Sequence, residues 1–183
     1  MASFATTPGT RLPSVLVTGT PGTGKTATCS RIAELVPGMK HIEVSAMVKA
    51  EGWHESWDDE FQTYVLDEDA MLDGLEDQVS AGGCVVDFHS SDLFPERWFD
   101  LVLVLRCNNT ALFDRLTARG YAPNKVTENL ECEIMQTVLE EAREAYPTEI
   151  VHECPSESLE HLEANVQRVV AWIPAWQANN NDK

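Results

Sequence analysis

The chain has 183 residues, of which 43% are hydrophobic and 23% charged, and its formal net charge is −17. This length is sufficient for one buried core, and the composition excludes a wholly disordered protein. Because no run approaches about 18 apolar residues, we expect no membrane-spanning helix. The strongly negative charge opposes direct binding to nucleic acid, whose affinity comes mainly from neutralised phosphates.

The cysteines and the first residues indicate a reducing compartment. Residues 1–14 lack a basic start followed by an apolar run, so no secretory signal is expected. The five cysteines are widely spaced and form no C-x-x-C pattern, which favours free thiols over a disulfide framework or a zinc site. They are Cys29, Cys84, Cys107, Cys132 and Cys154.

Apolar runs alternate with helical patterns along most of the chain. The predicted strands are residues 14–18, 41–44, 84–88, 101–105 and 149–152. The predicted helices are residues 26–35, 66–81, 110–119, 129–146 and 159–172, the last one ended by Pro174. This alternation predicts a three-layer α/β fold with a central parallel five-stranded sheet flanked by helices. We interpret it as a single domain, with a core over about 14–176 and flexible ends at 1–11 and 178–183.

A glycine-rich loop follows the first predicted strand. Residues 19–26 read Gly-Thr-Pro-Gly-Thr-Gly-Lys-Thr, the G-x-x-x-x-G-K-[ST] pattern of a phosphate-binding P-loop, or Walker A motif. In this pattern Lys25 reaches the β- and γ-phosphates and the Thr26 hydroxyl binds Mg²⁺. A simple glycine-rich turn with an exposed lysine is disfavoured, because a strand precedes the loop and a helix follows it. The sequence therefore predicts a P-loop NTPase fold.

A second candidate element is the end of the predicted strand 84–88. Asp87 lies where P-loop enzymes place a carboxylate on the magnesium side, although it could instead cap the following turn. His89, two residues further on, is expected to share the face of Asp87. It could orient a water, hold a phosphate, transfer a proton or serve a structural role.

The segment after the predicted helix 110–119 favours a kinase lid. Residues 124–127 are similar to the guanine-binding N-K-x-D motif, but they lack its carboxylate and follow no strand, which excludes a GTPase. A kinase of small molecules needs cations around the transferred phosphoryl group and a lid that excludes water. Arg115 and Arg119 share one helix face, and Gly120 then interrupts the helix. Arg119 would donate to the phosphate; an ordinary basic helix end is the alternative.

These motifs together resemble the adenylate kinase isoenzyme 6 family, the coilin-interacting nuclear ATPase group of P-loop kinases. The resemblance covers about residues 14–176, in order and with compatible spacing. The Asp-x-His strand end followed by Phe-Pro-Glu-Arg-Trp is its most specific part. The stretches that carry it are residues 19–26, 66–69, 86–89, 94–98, 119–121 and 129–134.

The resemblance implies a nucleoside monophosphate kinase core with two inserts. The monophosphate-binding insert would span about 43–66, and a short lid about 118–128. The implied activity is transfer of the γ-phosphoryl group of Mg-ATP to AMP, with some ATPase activity and Mg²⁺ as cofactor. It also implies a role in small ribosomal subunit maturation and rRNA processing, a basic small-subunit ribosomal protein as partner, and a location in nucleus and cytoplasm.

The resemblance also assigns roles to single residues. The ATP-binding set it implies is Gly22, Thr23, Gly24, Lys25, Thr26, Ala27 and Arg119. Asp87 and His89 would serve magnesium and catalysis, with Asp87 reaching the ion through water. The AMP-binding set is Ser45, Lys49 and His89. Lysine cannot make the planar two-point phosphate contact of the arginine usual in adenylate kinases, so acceptor preference stays open.

Two further features have open interpretations. Trp53 and Trp57 could stack on a base or pack on one helix face. The stretch 50–96 has 14 acidic residues and no Lys or Arg. It is either a docking face for a basic partner or a solvated acidic surface. The rival function is accordingly an ATPase assembly switch that binds a basic ribosomal protein, with AMP phosphorylation incidental. A scaffold without enzymatic activity is disfavoured by the intact Lys25, Thr26 and Asp87.

Overall fold

The computed structural model describes residues 11–59 and 63–180. The predicted flexible ends therefore lie largely outside the described residues. Seven strands are present in the described chain: β1 Ser14–Thr18, β2 Lys40–Glu43, β3 His54–Asp58, β4 Thr63–Leu66, β5 Cys84–Asp87, β6 Leu101–Arg106 and β7 Val151–Pro155. The α-helices are α1 Lys25–Leu35, α2 Val44–Glu51, α3 Glu68–Ser80, α4 Asn109–Ala118, α5 Pro123–Ile134, α6 Thr137–Ala145 and α7 Leu159–Asn180. A short 3₁₀ helix spans Glu96–Trp98.

Five of the strands form one parallel sheet in the order β2-β5-β1-β6-β7, which confirms the predicted three-layer fold. Every residue of β1 and β5 is buried, as expected for central strands covered on both faces. Apolar side chains on one face of the sheet pack with α2, α3 and α6, while those on the other face pack with α1 and α7. The carboxyl ends of β1 and β5 therefore meet at one edge of the sheet.

The predicted helix 129–146 is wrong, because two helices occupy this stretch. Helix α5 ends at Ile134 and α6 begins at Thr137. Between them Gln136 has a φ of +59°, a left-handed conformation that cannot continue a right-handed α-helix. Helix α5 begins at Pro123, so the interruption after α4 is only four residues long.

The predicted end of the last helix at Trp172 is also wrong. Helix α7 continues through Pro174 to Asn180. An interior proline removes one backbone hydrogen bond, at a cost of about 3 kcal/mol. Burial of the neighbouring Ile173 side chain and the contact between Trp172 and Trp176 offset that loss.

Smaller differences concern the edge of the sheet and the insert. The last strand begins two residues later than predicted, at Val151. Val44, predicted to end a strand, instead begins α2. Strands β3 and β4, which the sequence patterns did not indicate, pair as an antiparallel hairpin. Within the described residues, no helix combines the length and apolar character that a membrane span requires.

Candidate active site

The loop at residues 19–24 connects β1 to α1 and exposes backbone donors at its far end. Gly22 has a φ of +94°, and a Cβ atom there would lie 2.9 Å from Leu112 Cδ1, so this position needs glycine for conformation and for space. Gly24 precedes α1 in a left-handed conformation, and no side chain caps the helix. The first N–H groups of α1 are therefore available to an anion at the positive end of the helix dipole.

Side chains from other elements hold this loop from below. The buried Thr20 hydroxyl donates to Glu133 Oε2 of α5 at 2.5 Å. The hydroxyl of Ser156, which follows β7, donates to the Thr23 carbonyl at 2.6 Å. The Thr23 hydroxyl donates to the Thr20 carbonyl at 2.8 Å, so this predicted ATP-binding side chain turns into the protein and braces the loop.

Arg115 also braces the loop rather than acting beside Arg119. Its guanidinium donates to the backbone carbonyls of Gly22 at 3.3 Å and Ser156 at 2.8 Å. Arg119, at the end of α4, instead lines the cleft around the loop together with Lys25. Of the two arginines one helical turn apart, Arg115 therefore supports the loop backbone and Arg119 faces the cleft.

Lys25 lies within the curl of the loop. Its ammonium donates to the carbonyls of Gly19 at 2.9 Å and Thr20 at 3.2 Å. Burial lowers the pKa of Lys25 to about 8, and the nearby charge of Arg119 lowers it as well, whereas the Asp87 carboxylate opposes the shift. Lys25 therefore remains mostly protonated at neutral pH, although its pKa is only about one unit above pH 7.

Thr26 and Asp87 form an oxygen-donor pair beside the loop. Asp87 ends β5 in register with Val17 of β1, and its side chain is buried. The Thr26 hydroxyl donates to Asp87 Oδ2 at 2.5 Å. Hydroxyl and carboxylate oxygens are ligands that Mg²⁺ prefers in proteins, and this pair lies at the first turn of α1. These residues therefore fit the predicted magnesium role.

His89 lies in the same cleft, just past the end of β5. Its side chain is exposed at the cleft wall, but neighbouring groups partly desolvate the imidazole ring, and this desolvation lowers the pKa of His89. The Lys25 ammonium lowers that pKa further, and the Asp87 carboxylate opposes both effects. The imidazole is consequently neutral at pH 7, able to donate one hydrogen bond and accept another.

One cleft of about 620 Å³ brings the two predicted halves of the site together. The predicted residues along its wall are Gly22, Lys25, Thr26, Ser45, Lys49, Asp87, His89 and Arg119. Gly24 and Ala27 line an adjoining hollow of about 390 Å³ on the outer side of the loop. A larger cavity of about 830 Å³ lies at the opposite edge of the sheet, beside Trp172 and Trp176, and contains none of the predicted site residues.

The hairpin β3–β4 adds aromatic side chains to the wall of this cleft. Trp57 of β3 and Tyr64 of β4 both line it, with ring centroids 4.9 Å apart. Trp53 is partly buried in the core and packs against Gly74 of α3 instead. The interpretation that the two tryptophans pack on one helix face is therefore wrong.

Sequence reasoning missed several residues that shape the site. Glu133 and Ser156 hold the loop, and His41 of β2 places its Nε2 atom 3.7 Å from Asp87 Oδ2. Glu133 lies in the stretch 129–134, which carries part of the family resemblance, but no local pattern marks this residue. No local pattern marks Ser156 or His41, since the sheet order brings Ser156 to the loop and His41 to Asp87.

Comparison with known proteins points to one family. A family model described as an AAA domain matches residues 15–136. The chain is 51% identical over 169 residues to the adenylate kinase isoenzyme 6 homolog of Dictyostelium discoideum, covering 92% of this chain and 96% of that one. It is 49% identical over 168 residues to the homolog of the same name from Caenorhabditis elegans, covering 91% and 92%.

Solved structures support the fold independently. A shikimate kinase from Bacteroides thetaiotaomicron superposes with a TM-score of 0.60 at 14% identity, covering 89% of this chain and 99% of that one. A gluconokinase from Sinorhizobium meliloti 1021 superposes with a TM-score of 0.56 at 21% identity, covering 92% and 96%. At such low identity these likenesses concern the fold alone.

Proposed function

The chain belongs to the adenylate kinase isoenzyme 6 family, and we propose that it transfers the γ-phosphoryl group of Mg-ATP to AMP, giving two ADP. It is an enzyme of the kinase type with a nucleotide-binding P-loop. One observation carries the choice of reaction. The P-loop, the Thr26–Asp87 pair and the acceptor-side residues Ser45 and Lys49 line a single cleft. Donor and acceptor phosphates could therefore meet within it.

The donor side follows from the loop. The phosphates of ATP would accept hydrogen bonds from the loop N–H groups and the first turn of α1. Lys25 would exchange the carbonyls of Gly19 and Thr20 for the β- and γ-phosphates, since a phosphate offers a full negative charge. Mg²⁺, when bound with the nucleotide, neutralises phosphate charge, and Thr26 and Asp87 would hold it, Asp87 through water.

Two further side chains act on the moving phosphoryl group. Arg119, within the predicted lid 118–128, lines the cleft and would donate to the oxygens of this group as charge spreads over them. His89, neutral at pH 7, would donate a hydrogen bond to the acceptor phosphate and keep it in line. An AMP phosphate is already an anionic nucleophile, so no general base and no covalent intermediate are required.

The acceptor would bind between α2 and the hairpin. Lys49 offers one point charge to the AMP phosphate, and the Ser45 hydroxyl offers a hydrogen bond. Trp57 is 46% exposed and lies near Tyr64, which suits stacking on a base. Because Lys49 is a point charge, it would hold the acceptor phosphate less rigidly than an arginine fork.

The second candidate function is an ATPase switch that binds a basic ribosomal protein during small-subunit maturation. The hairpin supports it, because Trp57 and Val65 expose apolar surface within the acidic stretch 50–96. A basic partner would match that charge, and water could replace AMP as acceptor in an incompletely closed cleft. Location in nucleus and cytoplasm accompanies this role, on the strength of the family resemblance alone.

Product analysis separates the two functions. Protein and Mg²⁺ are incubated with ATP alone and with ATP plus AMP, and nucleotides and free phosphate are quantified by chromatography. We expect ATP and AMP to disappear together, with two ADP formed and little free phosphate. Lys25→Ala should abolish turnover, whereas Lys40→Ala, an exposed lysine of β2 outside the cleft, should not. Equal ADP and phosphate without AMP would favour the switch instead.

A further inference from the structure

Three potential metal ligands from three elements converge beside the Thr26–Asp87 pair. Cys29 Sγ of α1, a ring nitrogen of His41 of β2 and a carboxylate oxygen of Asp87 all lie within 4.8 Å of one another. Cys29 and Asp87 are buried, and the His41 side chain is 18% exposed. A thiol, an imidazole and a carboxylate in such proximity form a donor set different from the oxygen ligands of Mg²⁺.

The sheet register explains this convergence. His41 is aligned with Val85 of β5, and Asp87 follows two residues later, so the side chains of His41 and Asp87 lie on the same face of the sheet. Helix α1 covers that face, and Cys29 is among its buried residues. The three positions are separated by 12 and 46 residues in the sequence, so no spacing motif could indicate the cluster.

The hydrogen bonding of His41 favours a ligand at this place. Its Nδ1 atom pairs with the Ser30 hydroxyl at 3.2 Å, which fixes the ring. Its Nε2 atom is buried and has no hydrogen-bond partner within the described chain, although Asp87 Oδ2 lies 3.7 Å away. Ligating histidines typically show this arrangement, with one nitrogen held by a neighbour and the other facing the metal.

We propose that Cys29, His41 and Asp87 form a Zn²⁺ site, with a fourth position open to water. Tetrahedral zinc with bonds of about 2.0–2.3 Å holds its ligand atoms roughly 3.3–3.7 Å apart. A pair of ligand atoms at the full 4.8 Å would therefore need to approach by about 1.1–1.5 Å. Zinc binds the thiolate, so the Cys29 thiol proton passes to solvent as the Zn–S bond forms. Glu43 is a second carboxylate on this face, and its negative charge favours binding of a cation. The positive charge of the Lys25 ammonium opposes cation binding.

Zinc at this site would inhibit the enzyme. Asp87 Oδ2 accepts a hydrogen bond from the Thr26 hydroxyl when no metal is bound. A zinc ion between Asp87 and His41 would compete for that oxygen. The carboxylate would then be withdrawn from its role beside the phosphates. This consequence rests on the proposed phosphoryl transfer, whereas zinc binding itself does not.

Cobalt spectroscopy tests binding without relying on activity. Co²⁺ replaces Zn²⁺ in such sites and gives a thiolate-to-metal charge-transfer band in the near ultraviolet. We expect a band that saturates at one Co²⁺ per chain and is displaced by Zn²⁺. Cys29→Ala should abolish it, and Cys132→Ser, which removes an exposed cysteine, should leave it unchanged. His41→Gln provides a second loss of a ligand if Cys29→Ala fails to fold.

Activity assays then test inhibition. Loss of a direct ligand should lower Zn²⁺ affinity by more than the roughly 10–100-fold that second-shell changes cost. The activity of Cys29→Ala and His41→Gln should therefore persist at Zn²⁺ concentrations that inhibit the unmodified protein. A zinc-selective chelator should restore the activity of the inhibited unmodified protein. No charge-transfer band, or a band lost in Cys132→Ser and kept in Cys29→Ala, would overturn the site. Zinc binding to a protein without kinase activity would instead count against the proposed function alone.

Discussion

Glu133 connects α5 to the P-loop, so replacing it with alanine should destabilise the fold and loosen the nucleotide site together. The side chain is 3% exposed. Its carboxylate accepts hydrogen bonds from Thr20 Oγ1 at 2.5 Å, Arg106 Nε at 2.7 Å and the Cys107 N–H at 3.0 Å. Glu133→Ala removes all three acceptor contacts and leaves the Arg106 guanidinium without its buried partner.

The expected loss is about 3 kcal/mol of unfolding free energy. Removing one partner of a buried ion pair costs about 3–5 kcal/mol, because the remaining charge stays desolvated. Arg106 keeps its contacts with Glu153 at 3.1 Å and with the backbone carbonyl of residue 133 at 3.0 Å, and its side chain is 19% exposed, which favours the lower end. For a chain of this length that corresponds to a decrease in Tm of roughly 6–12 °C.

Urea unfolding of the free protein measures this loss. The matched control is Glu153→Gln, which removes the exposed partner of the same arginine and should cost about 0–1 kcal/mol. Calorimetric titration with ATP should show weaker binding to Glu133→Ala, because Thr20 loses its anchor. A loss no larger than that of Glu153→Gln would refute the argument that this carboxylate holds the loop.

Three further outcomes follow from the site. ATP affinity should be constant below pH 8 and fall about tenfold per pH unit above it. The reason is that phosphate binding requires protonated Lys25, so that above its pKa the lysine must take up a proton before ATP binds. Calorimetry from pH 7 to 9.5 checks this, and Lys25→Arg should abolish the pH dependence. Gly22→Ala should lower ATP affinity more than Gly120→Ala, since both positions have positive φ but only Gly22 faces Leu112; comparable affinities would contradict the steric argument. Trp57→Ala should raise KM for AMP about tenfold, because base stacking contributes roughly 1–3 kcal/mol. Tm should stay unchanged, because the side chain is 46% exposed. An unchanged KM would exclude stacking.

Local patterns account for the parts of the fold that the sequence could predict. The apolar runs of β1, β5 and β6 are buried on both faces, so their composition alone identifies central strands. The glycine-rich loop between strand and helix is similarly local, because its glycines, lysine and threonine are contiguous. Asp87 could be found because it ends a buried strand.

The remaining features depend on tertiary placement. The break at Gln136 has no glycine or proline to mark it. Apolar side chains of α5 pack with those of α4, whereas apolar side chains of α6 pack in the core on the central sheet, so the two helices belong to different apolar clusters. Glu133 reads as one more acid on a helix until sheet and helix placement bring it to Thr20. His41 likewise reads as an edge-strand residue until its register with β5 sets it beside Asp87.

Transfer to AMP is tested most directly by following the γ-phosphoryl group itself. The protein is given Mg²⁺, ATP labelled at the γ-phosphate and unlabelled AMP, and the products are separated during the first turnovers. Transfer predicts label in the β-phosphate of ADP at the rate of ATP consumption, with Lys25→Ala inactive. Label appearing as free phosphate at that rate while AMP stays intact would contradict the kinase assignment and leave hydrolysis as the reaction.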